Sequence, residues 1–226
     1  MSLKLRVILR FGLSLILIAA IFFLTAGTIH YWEAWVFIAI MFIPSVAFCA
    51  YYYVHDPAVL ERRMQRREKV TEQKLIIRLG MLIFLVGMLM PGLDQRFGWT
   101  LRWVGGVPLR VEVLAQCLAL IGYLGSMWVI DVNRFASRTI QVEQGQQVIS
   151  GGPYHYVRHP MYAFALLMWM AAGPALGSLV ALPIFALFVP IFVWRLLNEE
   201  KVLRQELPGY AEYCQQTRYR LLPYVW

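Results

Sequence analysis

Six runs of almost uninterrupted apolar residues, at 8–25, 35–54, 75–93, 111–130, 161–176 and 179–197, restrict this chain more than any other feature. Each is about as long as the 20 or so residues a helix needs to cross the hydrocarbon core of a bilayer. No water is available there to satisfy backbone groups, so a spanning segment with no partner strands must be a helix. A composition of 60% hydrophobic and only 15% charged residues, with a mean hydropathy of +0.58, lies outside the usual range for a water-soluble domain. The predicted fold is therefore all-α: a polytopic membrane protein of about six transmembrane helices. Its last two spans form a tight hairpin around Gly177-Ser178.

The net charge of +8 is explained by topology rather than by nucleic acid, because the basic residues sit between the apolar runs. Six spans place eighteen Lys and Arg residues on one side and only Arg96, Arg102 and Arg110 on the other. By the positive-inside rule, both termini and the polar motifs of the C-terminal half belong on the cytoplasmic side. The first run lacks a convincing small-x-small cleavage site and is read as a helix, not a signal peptide. Cys49, Cys117 and Cys214 lie far apart in apolar or helical surroundings and suggest neither a disulfide framework nor a metal site. No linker divides the chain. Residues 1–110 read as N-terminal membrane helices with a basic cytosolic loop, and 111–226 as the functional half of one compact unit. Pro44 is expected to kink the second span, 94–110 to form an interfacial loop carrying Trp99 and Trp103, and the tail to be helical through Glu212.

Two polar groups flank the hairpin. Before it, Gly151-Gly152-Pro153-Tyr154 leads into Arg158-His159-Pro160-Met161-Tyr162. The glycines permit close backbone approach, or simply a loop before a membrane helix. Proline suits the first turn of a helix, where free amides attract anions. Arg158 and His159 beside it are either anion ligands or a snorkelling cation and an interfacial histidine. After the hairpin come Arg195 and Glu199, four apart on one helix face, with Glu200 adjacent. They are either an ion pair at a helix end or part of a site. Ionisable groups near membrane depth cost about 2.5–3.5 kcal/mol each, which favours the site. The basic run from Arg62 to Lys69 reads as a topology and lipid-headgroup signal. His30 and Asp94 receive no role.

These residues together resemble a family. Asn133-Arg134-Phe135-Ala136-Ser137, Gln141, Gly145, the Gly-Gly-Pro-Tyr turn, the Arg-His-Pro-Met-Tyr segment, Arg195 with Glu199-Glu200, and Leu207-Pro208-Gly209-Tyr210 with Tyr213 are similar to the isoprenylcysteine carboxyl methyltransferase and phospholipid methyltransferase family. The resemblance implies an integral membrane methyltransferase that uses S-adenosyl-L-methionine without a metal. It also implies a lipophilic acceptor, of the isoprenylcysteine carboxylate type or a phospholipid amine, entering from the surrounding lipids. Carried over position by position, the resemblance implies a cytosolic cofactor pocket built from the C-terminal half, in which Gln141, Gln146, Gln147, Val148, Ile149, Tyr154, Arg158, His159, Pro160, Met161, Tyr162 and Glu199 contact the cofactor and Glu200 supports Glu199. Gln146 departs from the histidine found in many relatives. Arg195 and Glu200 are the candidate catalytic residues: Arg195 faces and orients an anionic acceptor, while Glu200, or else His155, serves as base for a neutral amine. The ending Tyr219-Arg220-Leu221-Leu222-Pro223 also resembles sterol-reductase-like proteins, which makes an NADPH-dependent membrane reductase the competing class.

Overall fold

A computed structural model describes residues 3–64, 71–135, 142 and 145–226, and among these every regular element is helical. The chain runs through α1 (Leu3–Ala26), α2 (Trp32–His55), α3 (Pro57–Met64), α4 (Thr71–Phe97), α5 (Trp99–Val104) and α6 (Leu109–Val132). A 3-10 turn (Gly152–His155) then precedes α7 (Pro160–Ala175), α8 (Leu182–Ala186), α9 (Phe188–Glu206) and α10 (Tyr210–Gln216). Among the described residues, five helical stretches are long and apolar enough to cross a membrane: α1, α2, α4, α6 and the α8–α9 pair. This is an integral membrane architecture. The predicted fifth span appears as α7, whose 16 residues extend about 24 Å at 1.5 Å per residue.

Glycines decide how closely these helices pack. Without a hydrophobic force between helices in lipid, association relies on close backbone approach at small residues. A Cβ at Gly122 of α6 would stand 2.6 Å from the Phe164 carbonyl oxygen of α7, and one at Gly125 would overlap the Phe164 ring. The two helices consequently pair along their length. Gly92 does the same for α4 against Thr25 of α1. Around these contacts Phe22, Tyr31, Phe37, Met88 and Phe185 are completely buried, while Leu13, Ile16 and Leu17 of α1 face outward as a lipid-exposed stripe should.

The hairpin apex is fixed at the end of the bundle away from the basic loops. Tyr31 Oη donates to the Leu176 carbonyl (2.5 Å) and Gln116 Nε2 to that of Ala175 (3.2 Å). Ser178 Oγ donates to Asp94 Oδ2 at 2.6 Å, Thr100 N to Asp94 Oδ1 at 2.8 Å, and Leu179 N to Thr100 Oγ1 at 3.0 Å. Asp94, given no role by the sequence reading, is the buried hub of this clamp. Two expectations need correcting. Residues 94–110 are not simply a loop, because α4 continues to Phe97 and α5 follows immediately once Gly98 adopts φ +65°. The tail is not helical throughout: α9 stops at Glu206, and Gly209 at φ +83° restarts the chain as α10. Pro44 lies inside α2, which is helical on both sides of it.

Candidate functional site

At the basic end of the bundle, the segment before α7 is strapped to the C-terminal strand-like tail. Arg158 N donates to the Tyr219 carbonyl and His159 N to that of Arg220, each at 2.9 Å. Pro160 then opens α7, where its missing N–H costs nothing. Upstream, Gly152 at φ +59° allows the 3-10 turn to fold tightly over Val132 of α6. That turn places Tyr154 where Asn133 Nδ2 donates to its hydroxyl (2.9 Å) and its carbonyl accepts from Tyr213 Oη (2.7 Å). Burial raises the Tyr154 phenol pKa to about 12 against the hydrogen bond from Asn133, with the negative charge of Glu199 acting in the same direction as burial.

Glu200 of α9 is the electrostatic anchor beneath this segment. Its Oε1 accepts from Arg158 Nε (2.8 Å) and lies 3.3 Å from His159 Nε2, and its Oε2 accepts from Arg220 Nε (3.2 Å). Arg158 Nη1 also donates to the carbonyls of Thr217 (2.9 Å) and Arg218 (2.7 Å). With Glu200 4% and Arg158 6% exposed, this is a buried, multiply bonded charge cluster. Such a cluster holds only when each charge keeps its partners.

One helical turn away, α9 presents a second row. Tyr162 Oη donates to Glu199 Oε2 at 2.7 Å and accepts from Arg195 Nε at 3.1 Å. Arg195 Nη1 reaches back to Gln73 Oε1 of α4 (3.3 Å). These side chains face a cleft with an empty volume of about 920 Å³ counted out to its mouth. The cleft brings together Gln146, Gln147, Val148, Ile149, Tyr154, Arg158, His159, Pro160, Met161, Tyr162, Arg195 and Glu199. Gln141 lies outside the described residues. Glu200 does not line the cleft: its oxygens are occupied by Arg158, His159 and Arg220, so it supports the wall from behind. His155 is exposed at the end of the 3-10 turn and does not line it either.

Several wall residues carry no role in the sequence reading. Val202, Leu203 and Leu207 of α9 and its exit, with Tyr210 and Tyr213 of α10, form an apolar and aromatic side. The i, i+3, i+4 spacing of Glu199, Val202 and Leu203 was the available signal. Asn133 and Phe135 complete the opposite wall. Gln73 had no signal, since a lone glutamine at the polar start of a helix reads as solvent-facing, yet it is 2% exposed.

Comparison with known proteins matches this part of the chain. A family model described as phospholipid methyltransferase matches residues 111–208, from the start of α6 to just past α9. The likeness to the phospholipid methyltransferase family is carried by residues 111–208. Its span covers both walls of the cleft except α10 and the C-terminal strap. Among individual relatives, the "Cobalt-zinc-cadmium resistance protein CzcN" of Cupriavidus metallidurans is 27% identical over 120 residues, 53% of this chain and 51% of that protein. The "Delta(14)-sterol reductase TM7SF2" of Mus musculus is 33% identical over 91 residues, 39% of this chain and 22% of the reductase. The chain thus spans about half the length of the first relative and about a fifth of the second.

Proposed function

We propose that this protein transfers a methyl group from S-adenosyl-L-methionine to a lipophilic, membrane-embedded acceptor, in a cleft on the cytoplasmic side. The observation that carries this reading is the Arg195–Tyr162–Glu199 row inside a cleft whose other side is apolar and aromatic. The residues fit the cofactor's chemistry. Glu199 is a carboxylate acceptor for a ribose diol or an ammonium group, and Gln146 and Gln147 offer amides for the amino-acid end. Val202, Leu203, Tyr210 and Tyr213 form a surface for a purine. Tyr162 fixes one oxygen of Glu199, leaving Oε1 to face the ligand.

When bound, the cofactor supplies an already activated methyl group on a sulfonium, displaced in line. The chain then has to align and desolvate the reactants, which can contribute about 7–11 kcal/mol to the rate without a nucleophile or a metal. Arg195, steadied by Gln73 and Tyr162, would orient an anionic acceptor oxygen such as a carboxylate. Arg158, His159 and Glu200 hold the loop against α9, so their part is positioning. Among the described residues no cluster of His, Cys, Asp or Glu has the arrangement of a metal site.

The acceptor we favour is a carboxylate of the isoprenylcysteine type, with a phospholipid amine as the alternative. A lipid extract incubated with radiolabelled cofactor would identify which component gains the label. The likeness to a sterol reductase supports a second reading, an NADPH-dependent membrane reductase. Thermal-shift titration separates the two: stabilisation by S-adenosylhomocysteine but not by NADPH is expected, and the reverse result would replace the methyltransferase reading.

A further inference from the structure

At the hairpin apex, away from the cleft, two further acids converge on Gly177. Glu33 lies in the first turn of α2 and Glu112 in the first turn of α6. The point where a Cβ on Gly177 would stand is 3.4 Å from Glu112 Oε1 and 3.5 Å from Glu33 Oε1. Both carboxylates are therefore turned to one small space, which the glycine at φ +67° leaves open. Glu33 is only 8% and Glu112 only 9% exposed. Glu33 Oε2 is buried with no hydrogen-bond partner, and the donors that do reach this carboxylate, its own amide and the Trp32 indole, leave that oxygen unserved. Neighbouring donors are directed elsewhere: Tyr31 Oη to the Leu176 carbonyl and Gln116 Nε2 to that of Ala175. Among the described residues no basic side chain pairs with either acid. Asp94, bonded to the adjacent Ser178, adds a third negative charge to the neighbourhood and no positive one.

Two like charges withdrawn from water without a counter-charge destabilise a fold. A divalent cation between them relieves both the burial and the repulsion. Two carboxylates are fewer side chains than a transition-metal site uses, and no third His, Cys, Asp or Glu among the described residues joins them. They suit a hard cation of the Mg²⁺ or Ca²⁺ kind, which takes oxygen ligands and keeps waters in its other positions. From this convergence we infer that Glu33 and Glu112 bind a hard divalent cation over Gly177, tying the starts of α2 and α6 to the hairpin apex. Glu33 lies outside the residues that the family model matches, and the site does not rest on the methyl-transfer reading.

The test is thermal unfolding of the full-length protein, stripped with EDTA in a non-ionic detergent at neutral pH and then titrated with magnesium or calcium chloride. One of the two salts should raise the wild-type melting temperature, by roughly 5–10 °C once the cation is at about 100 times its Kd. Sodium chloride at matched ionic strength should not. The double variant Glu33→Gln/Glu112→Gln keeps the shapes and removes both charges. It should melt above the cation-free wild type and ignore the cation. A control that removes two exposed acids elsewhere, Glu61→Gln/Glu212→Gln, should respond as wild type does. Equal shifts in wild type and the Glu33/Glu112 variant would place the cation elsewhere and overturn the site, as would no shift with either salt. A wild type stabilised by acidification but by neither salt would make a proton the occupant, and would equally overturn it. Should the double variant not fold, Glu112→Gln alone carries the test. Its titration midpoint should be about tenfold weaker, since ligand charge sets the affinity of such sites, and an unchanged midpoint counts against the assignment.

Discussion

The two ends of the helical bundle are built on opposite electrostatic plans. At the hairpin apex, one buried carboxylate, Asp94, gathers donors from Ser178 and Thr100, and every partner is neutral. At the other end Glu200 gathers two guanidinium groups, Arg158 and Arg220, and the imidazole of His159, and next to it a second acid, Glu199, faces open space. Around Asp94 the apex is a closed structural knot. The basic end joins a closed knot to an unfinished row of polar groups, and adjacent residues on one helix take the two roles. The contrast shows how one glutamate can be fixed by its partners while its neighbour faces a cleft, which is the arrangement the proposed function requires.

Removing the counter-ion should have the largest effect. Glu200→Ala leaves the buried Arg158, and the partly exposed Arg220, without their carboxylate, and breaking a buried pair of this kind costs about 3–5 kcal/mol. Denaturation in detergent should show that loss, together with loss of cofactor affinity, because the 158–162 segment is released. Unchanged stability would mean that Glu200 is not the anchor. Glu199→Ala tests the other half of the comparison. Affinity for S-adenosylhomocysteine, read by calorimetric titration, should fall about a hundredfold, worth about 2.7 kcal/mol, with stability nearly unchanged. A variant that binds normally would remove Glu199 from the site.

How much of this was legible in the sequence follows from the range of the forces involved. Apolar runs and the charge asymmetry report on the bilayer, which acts on each segment separately, so spans and hairpin could be read off directly. The residues of the cleft were legible as a motif, and the resemblance gave Glu199 to the cofactor with Glu200 supporting it. The contacts of Glu200 were not legible, because they depend on the rotation of α9 against α7 and the tail. Gln73 and Asp94 were illegible for a related reason: each owes its role to a partner about 80–120 residues away in the chain. The breaks at Gly98 and Gly209 depend on positive φ angles, which glycine permits without announcing.

Smaller changes sharpen the contrast. Asp94→Asn keeps the shape of the apex clamp but turns one acceptor oxygen into a donor facing the hydroxyls of Thr100 and Ser178. A stability loss of about 1–2 kcal/mol is expected, with cofactor affinity unaffected; a large affinity change would show that the two ends communicate. Tyr162→Phe removes the hydroxyl linking Arg195 to Glu199. One hydrogen bond to a charged group is worth about 1.5 kcal/mol, so affinity for S-adenosylhomocysteine should fall about tenfold while the fold survives.

The smallest effect is confined to alkaline pH. Tyr154 has its phenol pKa raised to about 12 in the folded protein, chiefly by burial, against about 10 for an exposed tyrosine. A raised pKa on a group that is neutral in the fold contributes stability that is fully present below pH 10. That contribution is lost as pH rises through 12, because the unfolded chain releases the proton first. Between pH 6 and 9, therefore, cofactor affinity should not depend on this tyrosine's ionisation, and its hydroxyl, accepting from Asn133, remains able to donate into the cleft. Comparing wild type with Tyr154→Phe isolates the effect from the other tyrosines. The variant should lose less stability than wild type between pH 10 and 12. Parallel pH profiles would mean that the phenol is as well solvated in the fold as in the unfolded chain, and that the wall beside Asn133 is open to water.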